Sequence, residues 1–393
     1  MNSRQEKPIN DSFSQAILDS LDITMAVIDP GGTIFAVNEA WKRMARNSCL
    51  PELLGRTGIG MNYLSVCKGV LGPSSEREMA QEAAEGIEAV LQGTQPSFLL
   101  EYPCFSPTRQ SWYLMNVTPL PRNNGAVVAH IDITELKHLE LHLQAEIKMA
   151  AKIQAQLFPQ ELPHIRGLDL FAYSCPAGQV GGDFYDLLSC ASFPFAFIVA
   201  DISGKGLHAA LLAAMAYKTF HLITHLLPGN DPQALLAQMN ENLYENLSTA
   251  GMFATAFVGC YDPTTRQLLF ANAGHSPVVY CPKGGPAVLL KANATGLGIL
   301  PSLTCLDDCL QFQPQDVLLI GTDGLNESFN ATGEMFGYAR LLTTIETLAP
   351  LSANQIGTEL LKTIRQFMQE EPQSDDQTLI VIKGSGTPEP LLP

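Results

Sequence analysis

Acidic residues stand at the mouths of apolar runs in this chain, and that restricts what it can fold into more than any other feature. Five short segments frame the pattern between residues 181 and 378. They are Gly181-Gly182-Asp183-Phe184-Tyr185-Asp186, Ala200-Asp201-Ile202-Ser203-Gly204-Lys205-Gly206, Ala271-Asn272-Ala273-Gly274-His275, Gly321-Thr322-Asp323-Gly324 and Ser374-Asp375-Asp376-Gln377-Thr378. Four contain aspartate, and three lie beside runs that read as buried strands: Phe195 to Ala200, Val317 to Ile320 and Leu379 to Ile382. A carboxylate at the mouth of a buried strand is costly unless something positive meets it. Several that converge need a cation, and hard oxygen ligands select Mg²⁺ or Mn²⁺.

Composition narrows the classes. Of 393 residues, 46% are hydrophobic and 16% charged, so the chain is globular and long enough for two or three domains. Its 39 acidic and 23 basic residues leave a formal charge of -16. No basic stripe is present to neutralise phosphates, so no nucleic-acid partner is expected. Nine cysteines, an odd number without a paired framework, suit a reducing cytosol. Residues 1–11 are polar and carry no apolar signal core. The longest apolar stretch, Leu207 to Leu227, includes His208, Lys218, His221 and His225, and reads as a buried helix, not a membrane span. A cytoplasmic, soluble protein is predicted.

The hydrophobic period changes along the chain. Met25 to Asn38 reads as two short strands joined by a Pro-Gly-Gly turn, followed by a helix over Glu39 to Arg46. Strand patterns return at 97–105, 111–119 and 126–132. From Thr134 to Phe158 the apolar residues Leu136, Leu139, Leu143, Ile147, Ala150, Ile153 and Leu157 fall three and four apart. That spacing predicts either a coiled-coil seam between two protomers or one amphipathic helix packed on its own chain. Pro159 stops the helix. Beyond it, strand runs at 195–202, 253–261, 267–273, 277–281, 316–321 and 378–383 alternate with helices near 207–227, 232–248, 338–348 and 353–370. Runs of strands with segregated helix pairs predict an α+β fold of two packed sheets flanked by helices.

Two family resemblances follow from these residues. The order of elements over 13–134, closing on Asp132-Ile133-Thr134-Glu135, resembles a PAS domain. Between the two resemblances, residues 135–158 are expected to form the coiled-coil linker, with the single amphipathic helix as the alternative. Residues 165–384 resemble the SpoIIE/RsbU-type serine phosphatases, the bacterial branch of the PPM (protein phosphatase 2C-like) fold. All five segments match that family's motifs in order, and Gly333-Glu334-Met335-Phe336-Gly337 continues the fourth.

The resemblance implies a layered β-sandwich and a site with two Mn²⁺ or Mg²⁺ ions. Carried over by position, Asp183, Asp201 and the carbonyl of Ile202 would hold one ion, while Asp201 bridges to a second completed by Asp323 and Asp375. Two ions about 3.5–4 Å apart would activate a water for in-line attack on phosphoserine or phosphothreonine. Taken singly, each aspartate reads more readily as a turn or cap residue. Asp186 and Asp376 read as supporting residues.

The general acid and the phosphate clamp are left without assignment. Ser203 stands where other PPM members carry histidine, and no arginine matches their clamp. Lys205, Asn272 and His275 are the substrate-binding candidates, with loop packing the stronger reading for His275. By the same resemblance the substrate would be a phosphorylated STAS-domain anti-sigma-factor antagonist, acted on by a homodimer held through PAS domain and coiled coil. The PAS ligand is not implied; His130 reads as a haem ligand or as a hydrogen-bonded strand residue. Two rival classes remain. A diguanylate cyclase shares Gly181-Gly182-Asp183-Phe184 but needs another acidic residue before the phenylalanine. A catalytically silent phosphatase-fold scaffold would not need Asp183, Asp201, Asp323 and Asp375 together.

Overall fold

A computed structural model of the chain describes residues 11–47, 58–70, 74–105, 110–121, 124–189, 195–227 and 231–386. The chain forms two compact units, Met1–Gln144 and Ala145–Pro393.

In the first unit, helix Asp11–Asp19 precedes strands β1 (Thr24–Ile28) and β2 (Ile34–Val37), and helices Glu39–Asn47, Tyr63–Lys68 and Ser74–Leu91 follow. Strands β3 (Phe98–Phe105), β4 (Gln110–Pro119) and β5 (Ala126–Asp132) complete an antiparallel sheet of order β2-β1-β5-β4-β3. Gly32, at φ 82°, turns the β1–β2 hairpin in a conformation open to glycine. One face of the sheet buries Ala26, Ile28, Met115, Val117 and Val128 against Trp41, Tyr63, Ile87 and Val90 from the helices. Asn38 closes the hairpin, donating to the Ile23 carbonyl at 2.7 Å and accepting from the Trp41 amide at 2.9 Å. His130 lies buried within this core. One ring nitrogen is 3.0 Å from the Tyr63 hydroxyl and the other 2.7 Å from the Tyr102 hydroxyl. Both nitrogens are thus engaged by protein, which favours the hydrogen-bonded reading of His130 over ligation.

Helix Thr134–Leu157 follows directly, with the Thr134 amide donating to Asp132. The helix forms where the spacing placed it. Its seam residues Leu136, Leu139, Leu143 and Ile153 stand exposed on this chain, so what covers them is not given by the chain itself.

The second unit holds two five-stranded antiparallel sheets. One has the order β13-β10-β9-β8-β7 and the other β12-β11-β14-β15-β6. The strands are β6 (Leu168–Cys175), β7 (Asp183–Leu188), β8 (Phe195–Ile202), β9 (Ala254–Asp262), β10 (Gln267–Ala273), β11 (Val278–Cys281), β12 (Val288–Leu290), β13 (Asp308–Gln311), β14 (Val317–Gly321) and β15 (Gln377–Gly384).

The uninterrupted apolar run of β8 explains itself in this setting. Phe195, Phe197 and Val199 pack between the sheets against Leu318, Ile320 and Ile380. Ala196, Ile198 and Ala200, on the other face, lie under helices Leu207–Leu226 and Pro232–Thr249. The second sheet repeats this pattern, with Leu319, Leu379 and Val381 under helices Gly337–Leu348 and Ala353–Met368. A strand covered on both faces has no polar side, which is why these runs do not alternate. The result is four layers, helices on each outer face of a two-sheet sandwich, as the sequence predicts. Strands β6, β7, β12 and β13 and the short helix Asp323–Asn326 complete it without having been predicted.

Candidate active site

The acidic segments meet at one end of the sandwich. Strands β7 and β8 pair antiparallel, with Asp183 directly opposite Asp201. Like charges facing each other across a strand pair oppose folding unless they are neutralised. The pairing continues one step further, because the Ile202 amide donates to the Gly182 carbonyl at 3.3 Å. A Cβ at Gly182 would come within 2.8 Å of the Ile202 carbonyl oxygen, so only glycine lets the two segments approach this closely.

The second sheet supplies the remaining groups. The Thr322 hydroxyl donates to Asp183 at 2.7 Å. Asp323 opens the short helix that follows β14, and Asp375 and Asp376 immediately precede β15. Asp376 ties the two sheets together. Its carboxylate accepts from the Ala177 amide at 2.7 Å and from the Gly182 amide at 2.7 Å. Sequence reading made Asp376 a supporting residue, and that is the work it does: it holds the loop that delivers Asp183.

Electrostatics follow from this crowding. Burial, then the Asp201 and Asp376 carboxylates, push Asp183 well above the usual carboxylate range, against the hydrogen bond from Thr322. Asp201 is pushed up to about 7, by burial first and then by Asp323, Asp375 and Asp376. Asp323 rises through burial and Asp375. Such a group of carboxylates is short of positive charge. Lys205 supplies one, with Nζ 3.1 Å from an Asp375 oxygen and donating to the Ser374 carbonyl at 2.6 Å. Among the described residues, no three His, Cys, Asp or Glu side chains enclose a metal position by themselves. The donor set is carboxylate and carbonyl oxygen, the chemistry of a hard divalent cation that retains part of its water shell. The residues present therefore fit such an ion.

The other candidates lie deeper. Asn272 and His275 are buried at 2% and 3% exposure. The His275 amide donates to Asn272 at 2.8 Å, and its ring shares a 3.0 Å hydrogen bond with Thr255, the residue opposite Asp201 on β9. Burial lowers the His275 pKa to about 4, so the ring is neutral. Among the described residues, Nδ2 of Asn272 and Nε2 of His275 have no hydrogen-bond partner. Both residues are thus interior, not on the exposed surface of the unit.

Asp186 is buried on β7 and takes His221 at 3.2 Å as its partner. Sequence reading gave no role to Thr322, or to Gln154 of helix Thr134–Leu157. The Gln154 side-chain amide donates to the Gly181 carbonyl at 2.8 Å and accepts from the Gly181 amide at 3.2 Å.

Residues 12–75 match the PAS domain family, and residues 193–384 match the family described as Stage II sporulation protein E (SpoIIE). That second range includes Asp201, Asp323 and Asp375 and begins after Asp183. Protein IcfG of Synechocystis sp. is 28% identical over 265 residues, 60% of this chain and 41% of that protein, so the chain spans less than half of this relative. Phosphoserine phosphatase RsbU of Bacillus subtilis is 27% identical over 260 residues, 66% of this chain and 76% of RsbU. Among solved structures, the SiaA-PP2C domain of Pseudomonas aeruginosa superposes with a TM-score of 0.56 at 22% identity, over 62% of this chain and 98% of that domain. The C-terminal unit is therefore a SpoIIE-type domain with the layered PPM phosphatase fold, and a PAS domain precedes it.

Proposed function

We propose that this chain is a PAS-regulated, metal-dependent protein serine/threonine phosphatase. The observation that carries this reading is the register pair Asp183–Asp201, joined from the opposite sheet by Asp323 and Asp375. In this reading Asp183, Asp201 and the Ile202 carbonyl hold one Mn²⁺ or Mg²⁺, and Asp201, Asp323 and Asp375 hold a second. Two such ions, when bound, polarise the phosphoryl oxygens and lower the pKa of a water for in-line attack. Thr322 and Asp376 keep the Asp183 carboxylate and its loop in place, and Gly182 and Gly324 let the backbones close around them. A Cβ on Gly324 would lie 2.0 Å from the Asp376 carbonyl oxygen.

The likeness to RsbU, a phosphoserine phosphatase by name, supports a phosphoserine substrate. In this reading the phosphoserine sits on a STAS-domain antagonist of an anti-sigma factor, in a partner-switching circuit. The reading also includes a cytoplasmic homodimer joined by PAS domain and helix Thr134–Leu157. No helix among the described residues is long and apolar enough to cross a membrane, and none of the seven described cysteines is in a disulfide. Regulation runs through the same helix. Its last turns grip the Gly181 peptide through Gln154, two residues before Asp183, so a shift of the helix moves the loop directly. This path is shorter than one through helix Leu207–Leu226.

The test is phosphate release from a phosphoserine STAS-domain protein with Mn²⁺, with Mg²⁺ and with chelator, beside Asp201→Asn. Metal-dependent release that falls by at least ~100-fold in the variant is expected. Silence toward both this substrate and an aryl phosphate, with folded protein, would replace the enzyme by a scaffold.

A further inference from the structure

The loop between β8 and helix Leu207–Leu226 presents one lysine to the carboxylates. Gly204 and Gly206 flank Lys205 at φ 90° and 78°, a conformation open to glycine. The Lys205 side chain is 61% exposed. Packing therefore does not hold it. Its place is set by two polar contacts at the terminal ammonium, the Asp375 carboxylate at 3.1 Å and the Ser374 carbonyl at 2.6 Å. Asp375 is one of the carboxylates assigned above to the second metal. The other Asp375 oxygen accepts from the Asp376 amide at 2.9 Å, so a divalent ion brought to this carboxylate competes with the ammonium for its negative charge.

We propose that Lys205 is a resident counter-cation, which occupies Asp375 until a divalent ion displaces it and thereby sets the metal concentration at which the site fills. The inference rests on the metal reading of the site. Because the ion pair is half exposed, its hold is modest and reversible, which suits a threshold better than a lock.

Two measurements on the full chain separate this inference from the metal reading. In calorimetric titration with Mn²⁺, Lys205→Gln should bind about three- to tenfold more tightly than the unaltered chain. Lys291→Gln, which removes the same charge elsewhere on the unit, should leave the affinity within twofold. Reductive methylation followed by mass spectrometry should show Lys205 modified several-fold faster when Mg²⁺ is present. In Asp375→Asn the reaction should be fast with or without Mg²⁺. Equal Mn²⁺ affinity in Lys205→Gln and the unaltered chain, or a methylation rate indifferent to bound Mg²⁺, would overturn the inference and leave the metal site standing. Failure of either ion to bind the unaltered chain would remove the metal reading and this inference with it.

Discussion

His130 makes the folded N-terminal unit sensitive to acid. Burial lowers its pKa from 6.5 to about 4, and both ring nitrogens are engaged by tyrosine hydroxyls. Above pH 6.5 the imidazole is neutral in folded and unfolded chains alike, and its protonation does not affect stability. Between about 6.5 and 4 the unfolded chain takes up a proton that the folded unit refuses, so stability falls as the pH falls. The loss amounts to as much as ~3 kcal/mol near pH 4. Thermal unfolding from pH 7 to 4.5 should show this slope, and His130→Phe should flatten it. An unchanged slope in the variant would place the sensitivity elsewhere. At this scale the carboxylates were legible in the sequence because an ionisable residue at the end of an apolar run stands out by its cost. Thr322 was not, since a hydroxyl gives no such contrast and acquires its role only by meeting Asp183, 139 positions away.

Elements were legible in proportion to how completely one environment surrounds them. Strand β8 is covered on both faces and its pattern is unbroken, whereas helix Leu207–Leu226 is covered along the face that meets the sheet while Leu211, Leu222 and Leu226 are exposed. Strand β7 carries Asp186 in the middle of its buried run, a charge met by His221 from 35 positions away, and so it does not read as a strand. Strand β13 is mostly exposed and too short to show a period. Helix Thr134–Leu157 was legible as a helix, but the task of Gln154 depends on where Gly181 lies. Gln154→Ala removes both hydrogen bonds and should lower the rate toward an aryl phosphate about tenfold, with the unfolding temperature nearly unchanged. Prolines at Leu143 and Ile147 would break the helix at ~3 kcal/mol each. On the proposed homodimer, light scattering should show dimers for the unaltered chain and monomers for this variant. A dimer that persists, with activity unchanged, would sink the role assigned to the helix.

For the molecule as a whole, each unit has buried clusters of its own, one in the first and three in the second. Scanning calorimetry should resolve two transitions, with Mn²⁺ raising only the one that belongs to residues 145–393. At a hundred times its dissociation constant the ion would add about 2.7 kcal/mol to that unit, a shift of several degrees. A single transition, or equal shifts in two, would count against separate units. The two-sheet architecture was legible because strands and helix pairs segregate along the chain. The order within each sheet was not, since neighbours are set by contacts between strands far apart in sequence.

One such neighbour relation bears on how the protein is made. Strand β15 is inserted between β14 and β6, and the loop before it carries Asp375 and Asp376. The Asp376–Gly182 bond spans 194 residues. During synthesis the N-terminal unit can fold on the ribosome, and so can the hairpin that pairs Asp183 with Asp201. The sheet opposite stays split, with β6 separated from β14, until residue 384 has emerged. A ribosome stalled before that point therefore yields a chain whose first unit is complete and whose acidic cluster still lacks Asp375 and Asp376 or the strand that follows them.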